Sequence, residues 1–265
     1  MLDQPKSTLT LGDRMKMYEN VQTKLRFDQT KPLYCRIDGR NFSKFTKGMK
    51  KPFDEAMSMI MIEVTKHLVK ETGAVIGYTQ SDEITLVWQE GKFFFDGRIQ
   101  KMVSNVSSIA TSKFLLEALK VWPEKCNSKL PTFDARIFEL PNREETSNSI
   151  LWRAQDAYKN AISMAAHEFL GHSKTLGKSG EEKINMLKEI GIDFHAYPDF
   201  FKHGTFVRAE LYSMSIEELN LPEHIKAKQK EVSFTRRKIV NVDVGSFQSI
   251  KNKLDFVFEG AEPLK

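Results

Sequence analysis

The chain has 265 residues, of which 40% are hydrophobic and 28% are charged, and its two cysteines are too few for a disulfide framework. No apolar run approaches the roughly 18 residues of a membrane span, and residues 1–16 are too polar for a signal peptide. We therefore expect a cytoplasmic globular protein without a membrane segment, built as one large domain or as a domain with an appendage. The formal net charge of +5 is compatible with a polyanionic partner such as nucleic acid, although many basic proteins bind none.

Apolar spacing predicts two helices around a strand in the first third of the chain. Spacings of three and four residues predict a helix over residues 11–28, and Pro52 opens a second helix that Gly73 ends. Between them, residues 33–38 alternate between apolar and polar side chains, as a half-buried strand does. One face of this strand carries Leu33, Cys35 and Ile37, and the other carries Tyr34, Arg36 and Asp38.

A hairpin with an acidic tip is predicted next. The runs 74–79 and 84–88 are strand-like, and Gln80-Ser81-Asp82-Glu83 separates them. A helix from about Arg98 to Leu119 and a strand over residues 133–140 follow. The order strand, helix, strand, strand, helix predicts an α+β fold, in which a mostly antiparallel sheet carries helices on one face, as in the polymerase palm and the related ferredoxin arrangement.

The second half of the chain has weaker patterns. They predict a helix over residues 147–170, a loop over 172–182, a short helix over 181–190, an irregular aromatic segment over 193–208 and a basic, polar appendage from 210 onward. The cations of this appendage either contact RNA or form a solvated surface. We therefore expect a palm-like catalytic domain over residues 1–140, a helical and irregular part of the same catalytic unit over 141–210, and a C-terminal helical or irregular tail of unknown role over 211–265.

Two short acidic motifs lie where predicted strands end. Asp38 ends the first strand and precedes Gly39, whose carbonyl can join the carboxylate as a metal ligand. Ser81-Asp82-Glu83 forms the hairpin tip, which strand pairing can bring beside Asp38. Mg²⁺ prefers octahedral oxygen ligands, and two carboxylates from separate strands suit a two-metal site for nucleotidyl transfer. The alternative is that Asp38 is an ordinary turn residue and that the hairpin tip is only solvated.

Backbone amides and cations are expected near such carboxylates. The turn Gly39-Arg40-Asn41-Phe42-Ser43 can offer its N–H groups to phosphates, as backbone nests do. Lys44, Arg98 and Lys101 are the candidate cations, and the last two are three residues apart on one predicted helical face. The alternative for that pair is a solvated helix face.

The order of these motifs resembles that of the tRNA-histidine guanylyltransferase family. The resemblance rests on residues 12–19 (GDRMKMYE), 36–46 (RIDGRNFSKFT), 51–54 (KPFD), 77–84 (GYTQSDEI), 97–101 (GRIQK), 133–136 (FDAR), 151–153 (LWR), 177–179 (GKS) and 202–205 (KHGT). It spans about residues 11–208 and favours the metal-site interpretation of the acidic motifs.

This resemblance implies a palm-fold nucleotidyltransferase that adds nucleotides to the 5′ end of tRNA in the 3′-to-5′ direction. Two Mg²⁺ ions are implied, with ATP or GTP as the activating substrate. The 5′-monophosphate of the tRNA would first be activated, and the 3′-hydroxyl of an incoming GTP would then attack the activated end. A homotetramer, arranged as a dimer of dimers, is implied as well.

The roles of the family carry over to matching positions of this chain. The implied catalytic residues are Asp38, Asp82 and Glu83, and the implied metal ligands are Asp38, the Gly39 carbonyl and Asp82. The implied nucleotide-binding residues are Asp38, Gly39, Arg40, Asn41, Phe42, Ser43, Lys44, Ser81, Asp82, Arg98 and Lys101. RNA contacts are implied for Arg153, Asn160, Lys178 and Lys202.

Two departures from the family pattern concern the RNA substrate. Ser43 replaces a histidine of eukaryotic members, and Tyr158-Lys159-Asn160-Ala161 replaces their His-Ile-Asn-Asn motif, so that only Asn160 is retained. That motif is tied to selecting tRNA-histidine, and the chain therefore resembles bacterial and archaeal-type homologues that repair truncated tRNA 5′ ends. Fixed guanylation and templated repair both stay open. Two other functions also stay open: a palm-fold nucleotide cyclase or diguanylate-type synthase, and a non-catalytic RNA-binding palm module.

Overall fold

The computed structural model of the protein describes residues 9–91, 93–215 and 233–265. Its strands are β1 (Leu33–Gly39), β2 (Ile76–Gln80), β3 (Glu83–Trp88), β4 (Phe133–Glu139), β5 (Thr205–Ser215) and β6 (Ser233–Val242). Its α-helices are α1 (Leu11–Thr23), α2 (Phe42–Phe45), α3 (Glu55–Thr72), α4 (Ile99–Val121), α5 (Pro123–Ser128), α6 (Arg143–Leu170), α7 (His172–Thr175), α8 (Gly180–Glu189) and α9 (Asp199–Lys202).

The strands form one antiparallel sheet in the order β4-β1-β3-β2-β5-β6. This confirms the predicted α+β fold with a palm-like antiparallel sheet. The predicted strands over residues 33–38 and 133–140, the acidic hairpin and the helices that became α3, α4, α6 and α8 are all present, with ends shifted by a few residues. The first helix is shorter than predicted, because Lys24 caps it and Arg26 leaves the helix to form an isolated bridge with Arg98.

Both faces of the sheet are covered, so the prediction of helices on one face is wrong. On the first face, Cys35 and Leu86 pack in a core with residues of α3 and α4. On the second face, Tyr34 and Val87 pack in another core with Ile150 of α6. The second layer was hard to foresee, because β3 is buried on both sides and therefore lacks the alternation that marks a half-buried strand.

The described residues after 210 extend the sheet and the core on its second face, in the segment that the sequence predicted to be a basic, polar appendage. Strand β5 continues to Ser215, and β6 returns beside it over residues 233–242 to complete the sheet. The chain then crosses the second face and buries Phe247 and residues 256–258 in the core against α6. The predicted boundary at 211 falls inside β5, and the proposed division into a catalytic unit and a tail stays a prediction.

Two further segments differ from the sequence predictions. Helix α7 and the start of α8 lie in the predicted loop over 172–182, and β5 begins at Thr205 inside the segment predicted to be irregular. Strand β5 was missed because it carries Arg208, a charge that is only 3% exposed. Its guanidinium donates to the Ala261 carbonyl at 2.8 Å and pairs with Glu262 and with Glu210, so the C-terminal segment supplies part of the compensation for the buried charge.

Across residues 9–91, 93–215 and 233–265, no helix combines the length and the apolar character needed to cross a membrane. The longest helices, α4 and α6, are covered on one side by the sheet and carry charged residues on the other.

Candidate active site

Strand pairing brings the two acidic motifs together at one end of β1 and β3. Asp38 and Glu83 are direct partners across the two strands, and the Gly39 N–H donates to the Asp82 carbonyl at 3.2 Å. Only Ser81 and Asp82 connect β2 to β3, and Ser81 has a φ of +56°, as a tight hairpin turn requires. Three acidic residues, Asp38, Asp82 and Glu83, therefore lie where a central pair of strands ends.

Burial raises the pKa of Asp82 above its usual value, and the negative charges of Asp38 and Glu83 raise it further. The Ser81 hydroxyl opposes this by donating to one carboxylate oxygen of Asp82 at 3.1 Å. Like charges held close together in a half-buried position favour the binding of a cation or a proton.

Gly39 lets the Asp82 carboxylate and the following turn pack against the strand. A Cβ atom at this position would lie 2.4 Å from Cδ2 of Phe42 and 2.9 Å from Oδ2 of Asp82. Phe42 cannot easily yield, because its ring packs against Phe114 and Phe133 at centroid distances of 5.2 and 4.8 Å. Glycine is therefore required by close approach of the carboxylate and of the aromatic core.

The turn after β1 keeps only part of its predicted phosphate cradle. The Arg40 N–H donates to the Thr132 carbonyl at 2.8 Å, and the Gly39 N–H is used by Asp82. In the described ranges, the N–H groups of Asn41, Phe42 and Ser43 have no hydrogen-bond partner. These three groups, with the exposed side chain of Lys44, remain for an anionic ligand.

Arg153 of α6 holds Glu83 in a bidentate salt bridge. Its Nε and a terminal nitrogen donate to the two carboxylate oxygens at 2.6 and 2.7 Å, and Asp156 lies 3.1 Å from the same terminal nitrogen. The side chains of Arg153 and Glu83 are only 11% and 21% exposed. Two of the three guanidinium nitrogens of Arg153 are thus engaged within the protein, and the RNA contact implied for this residue stays a prediction.

A pocket of about 320 Å³ lies between the acidic hairpin and α6. Its lining includes Asp38, Asp82, Asn160, Ser163 and His167. Sequence reasoning named Asn160 but missed Ser163 and His167, which share with it one side of α6. Lys183 of α8 was missed as well; its Nζ donates to the Ser163 hydroxyl at 3.0 Å. Burial lowers the pKa of His167, and the nearby His172 and Lys183 lower it further.

A smaller cavity of about 70 Å³ adjoins this pocket and shares Gln80 and Ser81 with it. Its walls are largely aromatic and apolar, and they include Phe53, Met57, Met164, Phe200 and Phe201. The ring of Phe53 lies 4.7 Å from that of Phe201, so α9 and the segment before α3 form one wall. No signal in the sequence marked this cavity, because Phe53 and Phe201, which meet in that wall, are about 150 residues apart along the chain.

Arg98 and Lys101 do not join the carboxylates within one chain. They line a separate groove between α1 and the start of α4. That end of α4 follows Phe94, which packs on Trp88 at 5.7 Å, and Trp88 ends β3 five residues from Glu83. At about 3.3 Å per residue, the two ends of β3 are roughly 16 Å apart.

The remaining implied RNA contacts are spread over the surface beyond the carboxylates. Lys178 pairs with Glu182 at 3.0 Å and is 45% exposed. Lys202 donates to the His195 carbonyl at 2.8 Å and pairs with Asp199, and its side chain is only 13% exposed. Lys202 is thereby engaged in local contacts, and its implied RNA contact stays a prediction.

The donor set at the carboxylates fits a hard cation. The residues that the structure describes include no cluster of three or more His, Cys, Asp or Glu side chains around one potential metal position, and the carboxylate of Glu83 is bound by Arg153. Asp38 and Asp82 leave further coordination positions to backbone carbonyls, water or phosphate, and Mg²⁺ accepts such a shared set of oxygens. The raised pKa of Asp82 also indicates that the site suits a cation, since a bound cation would stabilise the charged form of this carboxylate.

Comparisons with known proteins match this architecture and its acidic end. The sequence profile described as tRNAHis guanylyltransferase matches residues 12–141. A bacterial tRNA(His) guanylyltransferase-like protein, solved in complex with ATP, is 34% identical with a TM-score of 0.69, covering 76% of this chain and 87% of that chain. The chain belongs to the tRNA(His) guanylyltransferase family.

Two other members of this family are similar over most of the chain. A bacterial guanylyltransferase-like protein in complex with GTP is 30% identical with a TM-score of 0.64, covering 87% of this chain and 90% of that chain. The tRNA(His) guanylyltransferase of Schizosaccharomyces pombe is 27% identical, covering 81% of this chain and 88% of its own length. The family is one of nucleotidyltransferases, and its profile includes both acidic motifs but ends before α6.

Proposed function

We propose that this chain is a Mg²⁺-dependent nucleotidyltransferase that activates the 5′ end of tRNA and adds nucleotides to it in the 3′-to-5′ direction. The observation that carries the proposal is the convergence of Asp38 and Asp82 at a pocket, in a chain similar to ATP- and GTP-bound relatives. We also propose that the protein is cytoplasmic, because its proposed substrate is tRNA.

Asp38, Asp82 and the Gly39 carbonyl would hold two Mg²⁺ ions. Bound there, the ions would supply charge neutralisation for the triphosphate and activation of the attacking hydroxyl. The chain itself contributes a fixed pair of carboxylates, since the strand partner of Asp38 is Glu83 and Arg153 keeps Glu83 in place. Arg153 is therefore a positioning residue in this proposal.

The nucleotide would lie across the acidic pocket and the adjoining aromatic cavity. The base would enter between Phe53, Met57 and Phe200, where aromatic and apolar walls suit a planar ring. The phosphates would meet the N–H groups of residues 41–43 and the side chain of Lys44. Lys183, at the opposite wall beside Ser163, would add a second positive charge.

A β-ribbon offers a surface for the body of the tRNA. The outer parts of β5 and β6 pair beyond the covered part of the sheet, and Arg236, Arg237 and Lys238 are exposed along β6. Exposed cations on a projecting ribbon suit phosphate contacts that carry no sequence information. Lys226, Lys228 and Lys230, the other cations for which the sequence left an RNA role open, lie outside the described residues.

Gly39→Ala is predicted to remove nucleotide binding and to lower stability. The added methyl group would displace Phe42 or Asp82, and overpacking of this kind costs about 1–3 kcal/mol. Thermal unfolding and a GTP-binding titration would measure the two effects. Gly12→Ala is the matched control, because a Cβ on that exposed glycine would meet nothing nearer than 3.8 Å. Equal behaviour of the two variants would contradict the close-packing argument.

The homotetramer is supported by the exposed apolar stripe of α1. No residue of this helix is buried, although Met15, Tyr18 and Val21 recur on one side and are 37% to 48% exposed along with Met17. The groove that contains Arg98 and Lys101 runs beside the same helix. We propose that α1 packs against a second copy and that these two cations serve phosphates bound at that copy.

Charge placed on the α1 stripe is predicted to dissociate the assembly. The double variant Tyr18→Asp with Val21→Asp would bury two carboxylates in the proposed interface, which is unfavourable without partners. Light scattering coupled to size-exclusion chromatography should show a fall in mass relative to the wild-type protein. Asn20→Asp adds charge to the opposite side of the helix and should leave the mass unchanged, whereas a single-chain mass for the wild type would rule out the assembly.

The function itself is tested with full-length and 5′-truncated tRNAs, each labelled nucleoside triphosphate and Mg²⁺. Incorporation at the 5′ end supports the proposal, and dependence of the added base on the opposing strand separates templated repair from fixed guanylation. Cyclic or dimeric products from GTP alone would favour the cyclase or diguanylate-type alternative. Binding of tRNA without any product would favour a non-catalytic module.

A further inference from the structure

One part of the second face of the sheet is left open beside α6. The register pairs Arg36 of β1 with Arg136 of β4, and it pairs Tyr34 with Phe138. Because residues two apart on a strand share a face, these side chains lie on the same face as Asp38. Phe138 is 41% exposed, and the side chain of Arg136 is 58% exposed. We refer to Arg36, Arg136 and Phe138 as the open face.

The open face contains one exposed aromatic side chain, Phe138, and a second one, Trp152, lies on the neighbouring helix α6. The ring of Phe138 packs on that of Tyr34 at 5.3 Å, and the Tyr34 hydroxyl donates to the Ser149 carbonyl of α6 at 3.4 Å. Three residues further along α6, Trp152 is 56% exposed, and the Arg153 guanidinium lies 4.8 Å from its ring centre. Trp152 is therefore held by the same arginine that fixes Glu83 beside Asp38.

The cations of the open face are available to a ligand. Within residues 9–91, 93–215 and 233–265, the half-buried Arg36 takes part in no salt bridge and no side-chain hydrogen bond. Arg136 has only Asp134, at 3.7 Å, and both side chains are more than half exposed, so the pair contributes little to stability. Charged side chains often protect an edge strand from pairing with other chains, and this could explain Arg136 on β4. It does not explain Arg36, because β1 is a central strand, nor the exposed apolar ring of Phe138.

We propose that the open face binds the 5′-terminal nucleotides of the RNA that the enzyme extends. Bases stack on Phe138 and Trp152, while Arg36 and Arg136 contact the phosphates. Tyr34, the partner of Phe138, lies four residues before Asp38, which is about 13 Å along the strand or about four stacked nucleotides. A polynucleotide laid along β1 thus reaches from Phe138 to the carboxylates. The inference rests on the proposed function, because it assigns a position to the substrate of that reaction.

Tryptophan fluorescence provides a test that does not depend on catalysis. The probe is a 5′-monophosphorylated hairpin RNA that copies a tRNA acceptor stem, added with Mg²⁺ and without any triphosphate. Stacking on Trp152 should quench its emission. Trp88 is only 4% exposed, and Trp122 packs on Phe45 in the core on the first face of the sheet, so neither should respond. Trp152→Phe should remove the quenching, and GTP alone should cause none in the wild-type protein.

Variants of the open face separate stacking from charge. Phe138→Ala should weaken RNA binding about tenfold, the scale of one lost base–aromatic stack, and Phe138→Leu should do so while keeping apolar packing on Tyr34. Arg136→Gln should weaken binding and lower the slope of log affinity against log salt by about 1. Leu116→Ala on α4 and Lys70→Ala on α3 are controls on the first face of the sheet and should leave binding unchanged.

The outcomes distinguish this surface from the proposed function. Quenching by GTP alone, or unchanged RNA affinity in Phe138→Leu and Arg136→Gln, would overturn the open face as the RNA site. Absence of RNA quenching in a protein that adds nucleotides to tRNA would overturn the open face but not the function. RNA quenching that is lost in Trp152→Phe, in a protein that adds nucleotides to no tRNA, would support the surface and overturn the function.

Discussion

Asp82→Asn is expected to abolish nucleotide addition and to stabilise the metal-free protein. Burial and the neighbouring Asp38 and Glu83 raise the pKa of Asp82, so its ionised carboxylate weakens the fold at neutral pH. Asparagine keeps the shape and can still bond the Ser81 hydroxyl, but it has no charge to neutralise and none to offer a cation. We expect a rate loss of about a thousandfold or more, the scale of losing a principal electrostatic group.

The pH dependence of unfolding gives a reading of Asp82 that is separate from activity. A raised folded-state pKa means that the folded protein binds the proton more tightly than the unfolded chain does. The stability of the wild type should therefore fall as pH rises from the ordinary aspartate value of 3.8 through the raised folded value, and this component should be absent in Asp82→Asn.

Magnesium should offset the loss of folding stability that the ionised Asp82 carboxylate causes in the wild type. Mg²⁺ should raise the unfolding temperature of the wild type and of Asp255→Asn, an exposed carboxylate control, while leaving Asp82→Asn unmoved. RNA binding should be nearly the same in all three proteins. Retained nucleotide addition in Asp82→Asn, or an Mg²⁺-dependent stabilisation of that variant equal to that of the wild type, would contradict the metal-site proposal.

Local patterns predicted the strand ends that carry the two acidic motifs, but not with certainty that these ends meet. The two-residue alternation of β1 determines which face carries Asp38, and the short connection through Ser81 and Asp82 determines that β2 and β3 form a hairpin. Both are short-range constraints on the chain. The pairing of β1 with β3 then brings the motifs together, and the sequence alone indicated this only as a possibility of the fold class.

Contacts between distant segments were not predictable from those patterns. Arg208 makes β5 look polar, and two of the groups that pair with its guanidinium, Ala261 and Glu262, lie more than 50 residues later. The aromatic cavity needs Phe53 and Phe200 from opposite halves of the chain. In each case the decisive neighbour belongs to another element, and single-sequence periodicity carries no information about it.

Helical spacing was only partly right about Arg98 and Lys101, and it gave no information about their location in the fold. Lys101 lies in the first turn of α4, but Arg98 is the extended residue that precedes the helix, so the two do not share the helical face that their spacing predicts. Which end of the sheet that turn approaches depends on the direction of α4. In the structure, the start of α4 lies near Trp88, at the end of β3 that is remote from the carboxylates.

Arg153→Lys is expected to lower nucleotide addition by about 10- to 100-fold, the usual cost of losing a residue that orients a metal-site carboxylate. Lysine keeps the charge but cannot donate to both oxygens of Glu83 in one plane, as the bonds of 2.6 and 2.7 Å require. Because charge-assisted bonds between largely buried side chains are lost, the free energy of unfolding should also fall by about 2 kcal/mol. Chemical denaturation and steady-state kinetics would measure the two effects, and kcat should fall more than KM rises.

A double-mutant cycle with Glu83→Gln separates a positioning role from direct RNA contact. If Arg153 acts through Glu83, the combined variant Glu83→Gln with Arg153→Gln should be less destabilised than the sum of the single variants, because neither partner is left as an unpaired charge. If Arg153 instead binds RNA, as the family resemblance implied, Arg153→Lys would weaken RNA affinity without changing the free energy of unfolding. The close pairing of Arg153 and Glu83, only 11% and 21% exposed, favours the first result, since a guanidinium that is already shared with two carboxylates has few donors left for a phosphate.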